Sequence, residues 1–235
     1  MKRNLFCLIV TFAVGILTAS VPARAAGEIT LNFQYAGKVT IGLAGSEWGG
    51  DKVTINWGDG TPIETRTLNF SMIPIYHNYT GATPRTITIT GDNIRGIVCA
   101  DMQLTSLDVS KCPTLNILDC SRNKLTSIDL SKNTSLVHLT CTHNQLTALD
   151  LSKITWIGHI RCSYNQLTNL DLSHNVLIKN LWVDNNPFTT ASMESLFRSM
   201  HNNVPNGGKI LYVGTTSANV NIASDSGWTI VRLAN

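Results

Sequence analysis

"LTSIDLSKNTSLVHLTCTHNQ", residues 125–145, runs directly into "LTALDLSKITWIGHIRCSYNQ", residues 146–166, and the two align in their apolar, cysteine and asparagine positions. "LTSLDVSKCPTLNILDCSRNK" (104–124) precedes them and "LTNLDLSHNVLIKNLWVDNNP" (167–187) follows, with a half-formed unit, "IRGIVCADMQ", ahead of the first. The period is 21 residues: Cys99, Cys120, Cys141 and Cys162 keep it, and Val183 takes the next step. Asn123, Asn144, Asn165 and Asn186 share it, as do Leu115, Leu136, Ile157 and Ile178, and Asp108, Asp129, Asp150 and Asp171. Registers held in phase over this length indicate stacked units, each too small to bury a core alone.

Each unit contributes a short strand such as "HLTC", whose alternate residues point in and out, and stacking at ~4.8 Å superposes equivalent side chains. Leucine and cysteine columns then merge into one core. The asparagine column is expected to point inward and bond backbone where each coil turns, because a buried, unpaired turn is costly. The second apolar set, "LTSIDLS", forms an extended opposite wall; a 21-residue coil leaves no room for a full helix there. The unit fits L-x-x-L-x-L-x-x-N-x-L with cysteine at the sixth place, and so resembles a leucine-rich repeat solenoid.

An array of identical coils needs closed ends. On the C-terminal side, 189–235 reads as an α+β cap. Met193, Leu196, Phe197 and Met200 make one helical face, with Thr189 or Thr190 as its cap and Glu194 in its first turn. "NNVPNGG" ends that helix, and "KILYV" and "WTIVRL" read as strands. On the N-terminal side, "KVTIGLAG", "DKVTINW", "TRTLNF" and "TITITG" alternate polar and apolar residues, and Asp59-Gly60 marks a turn. Residues 26–92 therefore read as an antiparallel β-sandwich passing without a linker into the repeats, 93–188.

"WGDG" (57–60) and "HNYTGATPRTITITG" (77–91) resemble a polycystic-kidney-disease (PKD) type, immunoglobulin-like domain, with His77 and Tyr79 at its H-x-Y pair and without the aromatic usual between Trp57 and Gly58. Together with the repeats, the chain resembles secreted leucine-rich repeat proteins of gut and oral Bacteroidetes. That resemblance implies an interaction protein of the cell envelope or the extracellular space. The fold class is mainly β: a PKD/Ig-like sandwich, a short solenoid of 21-residue coils, and the cap.

Residues 1–25 read as an export signal: Lys2 and Arg3, the apolar run "LFCLIVTFAVGILTA", then "ARA". The run is too short for a confident transmembrane span, and no later stretch is long enough, so no membrane segment is expected after cleavage. Lys2, Arg3 and Arg24 leave with it, and the chain's 18 basic and 15 acidic residues become 15 of each. A neutral chain gives no basic face for nucleic acid. The expected location is extracellular, cell-surface or periplasmic.

Four cysteines in one column suggest zinc or a disulfide ladder. Stacked neighbours have parallel side-chain directions, unlike the converging geometry of a disulfide, and no CxxC is present. Buried free thiols filling leucine sites are the expectation. Cys112, at a turn position filled elsewhere by Asn133, Ile154 and Asn175, reads as the one exposed thiol. The aspartate column lacks the glycine-rich nonapeptide of calcium β-rolls, and reads as turn bonding balanced by Lys111, Lys132 and Lys153. Asp59 has a calcium alternative, since some PKD-like relatives bind the ion there. No nucleophile elbow, HExxH or Walker loop occurs, so no catalytic residue, metal or cofactor is assigned; a hydrolase is the outside reading.

The variable positions carry the functional expectation. Directly before the cysteine column stand Val98, Asp119, Thr140, Arg161 and Trp182, and three before it Gly96, Ile117, His138, His159 and Asn180. His138, His159, Arg161, Tyr164, Trp182, Arg122 and Asp184 are the candidate ligand-binding residues of a concave face for a protein or glycan, since exposed aromatics and arginine anchor interfaces. The alternatives are a solvated array end, a spacer whose N-terminal β-domain makes the contacts, and a two-histidine metal site at His138 and His159.

Overall fold

The computed structural model describes residues 26–200, 209–213, 218, 220–225 and 227–232. The expected export signal and the "NNVPNGG" helix stop lie outside them. Six strands come first: β1 (Gly27–Gln34), β2 (Gly37–Ala44), β3 (Asp51–Asn56), β4 (Glu64–Leu68), β5 (Ile73–Tyr79) and β6 (Pro84–Gly91). The repeats supply β7 (Gly96–Val98), β8 (Leu104–Asp108), β9 (Ile117–Asp119), β10 (His138–Thr140), β11 (His159–Arg161) and β12 (Asn180–Trp182). Then follow α1 (Thr190–Ser199), β13 (Lys209–Val213), α2 (Asn221–Asp225) and β14 (Trp228–Arg232).

Two sheets hold these strands. One has the order β4-β3-β6-β1-β8; the other runs β14-β13-β12-β11-β10-β9-β7-β2-β5. The sheets meet where Phe33 of β1 stands edge-on to Tyr79 of β5, ring centroids 5.3 Å apart. β7 is the junction: it pairs antiparallel with β2 and parallel with β9, and every later pairing to β14 is parallel. Hydrogen bonding therefore crosses residue 92, and β8, from the first full coil, closes the edge of β1. The segments 26–92 and 93–188 share a core, in which Ile29, Ile41 and Ile89 belong to one apolar cluster with Leu118 and Leu139.

Ile97, Leu118, Leu139, Ile160 and Leu181 of the coils form one buried column, which Leu211 of β13 continues. Each such side chain, fully buried, stabilises by about 1.5–3 kcal/mol. The second apolar set is hydrogen-bonded as a strand only in the first coil, where β1 offers a partner; in the later coils it is irregular.

The asparagines tie the coils together. Asn144 Nδ2 donates to the Cys120 carbonyl of the coil before (3.0 Å) and to the Cys141 carbonyl of its own coil (3.1 Å), while its Oδ1 accepts from Leu125 N (3.0 Å). Asn123, Asn165 and Asn186 repeat the arrangement. A second ladder stands on the opposite wall. Asn133 Nδ2 donates to the Val109 and Cys112 carbonyls at 2.8 and 2.9 Å, and Asn175 does the same to Leu151 and Ile154, both at 2.9 Å.

Cys112 belongs to that inner register, and its expected exposure is corrected: it is buried, its thiol 3.6 Å from the Glu28 carbonyl, and a Cβ on Gly27 would lie 2.8 Å from its sulfur. Burial pushes this thiol up to about 11. The other four thiols among the described residues are free and buried, and burial raises them too. Each aspartate of the column accepts from the serine amide two residues on, at 2.8–2.9 Å. The serine bonds first, and then the nearby charges of Lys111, Lys132 and Lys153, lower the carboxyls of Asp108, Asp129 and Asp150, as expected, and the Lys111 ammonium also sits 2.6 Å from Glu28 of β1.

At the end of the array α1 buries Met193, Leu196 and Phe197. Thr189 is its N-cap, in a reciprocal box with Ser192. Glu194 falls beyond the first turn, 4.0 Å from Arg198 one turn on. β13 and β14 do more than cover the last coil: they continue the parallel sheet by two strands.

Candidate functional site

The coil strands are three residues long, with the central residue buried and the outer two on the far face. Register aligns those outer residues into two columns. One runs Gly96, Ile117, His138, His159, Asn180; the other Val98, Asp119, Thr140, Arg161, Trp182. Through β2 the face extends toward the N-terminal strands, where Gly42 stands opposite Val98 and Ala44 opposite Gly96. Met72, from the chain between β4 and β5, lies over Gly42 and Gly96, which have no side chain to obstruct it.

Between the columns is an open groove of ≈ 530 Å³ lined by Val98, Ile117, Asp119, His138, Thr140, His159, Arg161, Asn180 and Trp182. Its rings are stacked. His138 and His159 are parallel to within 3°, centroids 4.5 Å apart. The Arg161 guanidinium lies over the Trp182 ring at 4.4 Å. Asn180 Nδ2 is 2.8 Å from His159 Nδ1, so the amide donates and Nδ1 is the unprotonated nitrogen. Burial, and then the nearby Arg161 charge, hold His138 below the usual histidine range; His159 is lowered by burial, then by His138, Lys179 and Arg161. Both rings are accordingly neutral near pH 7. Parallel rings also aim their nitrogens side by side and do not converge them on one point, which removes the two-histidine metal site.

No family model matches the sequence, and no curated protein is significantly similar to it. Among solved structures, the functional domain of InlJ from Listeria monocytogenes, described as including a cysteine ladder, is 26% identical with a TM-score of 0.48; the match covers 60% of this chain and 30% of that one. The internalin InlF from Listeria monocytogenes is 18% identical with a TM-score of 0.43, covering 54% and 36%. The chain thus matches about a third of the length of either structure.

Four of the seven candidate residues, His138, His159, Arg161 and Trp182, meet in the groove. Three do not. Asp184 is corrected to a structural role: it is 5% exposed, takes a hydrogen bond from the Ser163 hydroxyl, and accepts another from Asn185 at 2.8 Å. Arg122 and Tyr164 sit on the turn after the strand, among residues with left-handed backbone at the same 21-residue spacing: Asp101, Arg122, His143, Tyr164 and Asn185, φ 53–57°. That turn swings their side chains off the strand face, and Tyr164 stacks on His143 with centroids 4.2 Å apart. The groove residues outside those seven, Val98, Ile117, Asp119, Thr140 and Asn180, share the columns of the four; the register alone identifies them.

In the N-terminal segment Asp59 is committed elsewhere than to an ion. Its Oδ2 is 2.7 Å from His77 Nε2, and its Oδ1 accepts from the Thr61 amide and hydroxyl at 3.1 and 2.6 Å. Burial pushes this carboxyl up, but the bonds from Thr61 and His77 outweigh it and hold it at about 2. His77 stacks on Trp57, centroids 4.5 Å apart, and the Tyr79 hydroxyl donates to the Trp57 carbonyl at 2.7 Å. Gly58 is required here: its φ is +73°, and a Cβ would lie 2.2 Å from the Thr86 carbonyl oxygen.

Proposed function

We propose that this is an exported, non-enzymatic interaction module that binds a protein or glycan through the outer face of its coil strands. One observation carries the reading: the buried columns repeat from coil to coil, while the groove columns vary, with His138 and His159 their one repeated pair, and place the Arg161–Trp182 and His138–His159 stacks together on an open face. Arginine and tryptophan are the side chains from which interfaces draw most of their energy. Neither groove histidine is hydrogen-bonded to a hydroxyl or thiol among the described residues, which favours binding over nucleophilic chemistry. The bonded cluster of Trp57, Asp59, His77 and Tyr79 supports reading 26–92 as a PKD-like domain. The test is a host-protein pull-down combined with a glycan array. Trp182→Ala and Arg161→Ala should each weaken the captured partner at least tenfold with the fold intact; unchanged capture would exclude this face.

A second reading, in which the coils are a spacer and the N-terminal strands make the contacts, is favoured by Trp48. It is 92% exposed on the chain between β2 and β3, next to the chain carrying exposed Phe70, to which Gly45 N bonds through Asn69 O at 2.7 Å. Capture lost on Trp48→Ala and kept on Trp182→Ala would select it.

A further inference from the structure

Asp119 and Arg161 stand in one column of the groove with Thr140 between them, two strand steps apart. At ~4.8 Å per step their backbones are about 10 Å apart. Neither charge is paired among the described residues. The contact of the Arg161 guanidinium is the Trp182 ring, and no carboxylate of the described residues lies within ion-pair distance. Asp119 spends Oδ1 on the Ser121 amide and hydroxyl, at 3.0 and 2.6 Å, while its Oδ2 has no hydrogen-bond partner among the described residues. The groove therefore presents a fixed dipole, acidic toward the first coils and basic toward the last.

We propose that the groove takes an extended polypeptide segment with a basic and an acidic side chain three residues apart, the base at Asp119 and the acid at Arg161. This rests on the groove being the binding face. Three-residue strands give a floor two side chains wide, about 7 Å between columns at strand rise, narrower than the ~10–12 Å of a helix with its side chains. The backbones of β9, β10 and β11 are paired on both sides, so a ligand cannot be held as an added strand and must be read through side chains. A polyproline-type segment repeats its side-chain direction every third residue with a rise of about 3.1 Å, giving about 9.3 Å between like-facing positions. That span matches the step from Asp119 to Arg161. The aromatic Trp182 at one end and the exposed Ile117 at the other supply apolar contact for the intervening residues. An acidic polysaccharide would bring like charge to Asp119, and a neutral one would cover both charges without pairing either; both outcomes are unfavourable.

A random peptide library displayed on phage, panned at low salt against the purified protein, tests this. Enriched peptides should carry Lys or Arg three positions from Asp or Glu. Each should bind the Arg161→Glu variant at least tenfold more weakly. The doubly exchanged variant, Asp119→Lys with Arg161→Glu, should recover binding only when the two charges of the peptide are exchanged as well. Circular dichroism confirms that each variant is folded. Absence of enrichment, enrichment without the spaced pair, or equal binding to the wild-type and exchanged proteins overturns the proposal. Peptides indifferent to the exchange but lost on Trp182→Ala would refute the charge pair while leaving the groove as a binding face. Peptides indifferent to both would refute the two together.

Discussion

Asn144 is bonded to two coils at once, and its neighbours in the column share that role. Asn144→Ala would strand the Leu125 amide, while the Cys120 and Cys141 carbonyls would each lose one bond and keep Asn123 and Asn165; at ~1–3 kcal/mol for the one buried group left unsatisfied and ~0.5–1.5 kcal/mol for each lost bond, the expected loss is about 2–6 kcal/mol, read as a lower urea midpoint. The groove histidines offer a test of electrostatics at the same scale. Because both are held low by burial and then by neighbouring charge, their proton resonances should titrate below about 6.5. Arg161→Ala should move both midpoints up. The sign for stability follows from the direction: the folded state favours the neutral rings. Their contribution is therefore complete above about pH 6.5 and is lost as the pH falls through the lowered folded values.

At the scale of elements, the 21-residue period made the solenoid legible, since equivalent letters stack into equivalent environments. Two strands escaped the same reading. β1 and β5 lie outside the period, and "IPIYHNY" breaks its alternation at Pro74 and His77. β8 is a strand because β1 lies beside it, a partner some seventy residues earlier that no local pattern reveals. Cys112 was misplaced because asparagine at its register reads as an exposed turn residue; Asn133 and Asn175 there are buried and bond carbonyls instead. The site was half legible for a related reason. Alternation places the strand residues, but nothing in the letters of Arg122 or Tyr164 announces a left-handed backbone. Helix α1 is tested through its cap: Thr189→Ala removes the reciprocal bonds with Ser192 and should cost about 1 kcal/mol, measured as a small drop in thermal midpoint.

For the whole molecule, the sheet that runs from β5 to β14 joins the N-terminal strands to the first coils, and the two are expected to fold together. A fragment ending at residue 92 would lack β7 against β2 and β8 against β1, exposing two sheet edges and part of the shared core. It should show little dispersion in its amide spectrum, whereas the full chain should melt with the N-terminal and first-coil signals disappearing together. Dispersion retained in the fragment would mean that 26–92 folds alone.

The asparagine clamps also make the groove an object of discrete length. Because each clamp joins one coil to the next by the same bonds, excising residues 125–145 would leave Asn165 able to meet the coil of Cys120 as it now meets that of Cys141. The shortened protein would lose His138 and Thr140 and bring Asp119 beside Arg161, one ~4.8 Å step away, close enough for the two to neutralise each other. Charge spacing on this face thus changes only in whole coils. A gain or loss of a single 21-residue unit would rewrite what the groove recognises while leaving every remaining turn as it was.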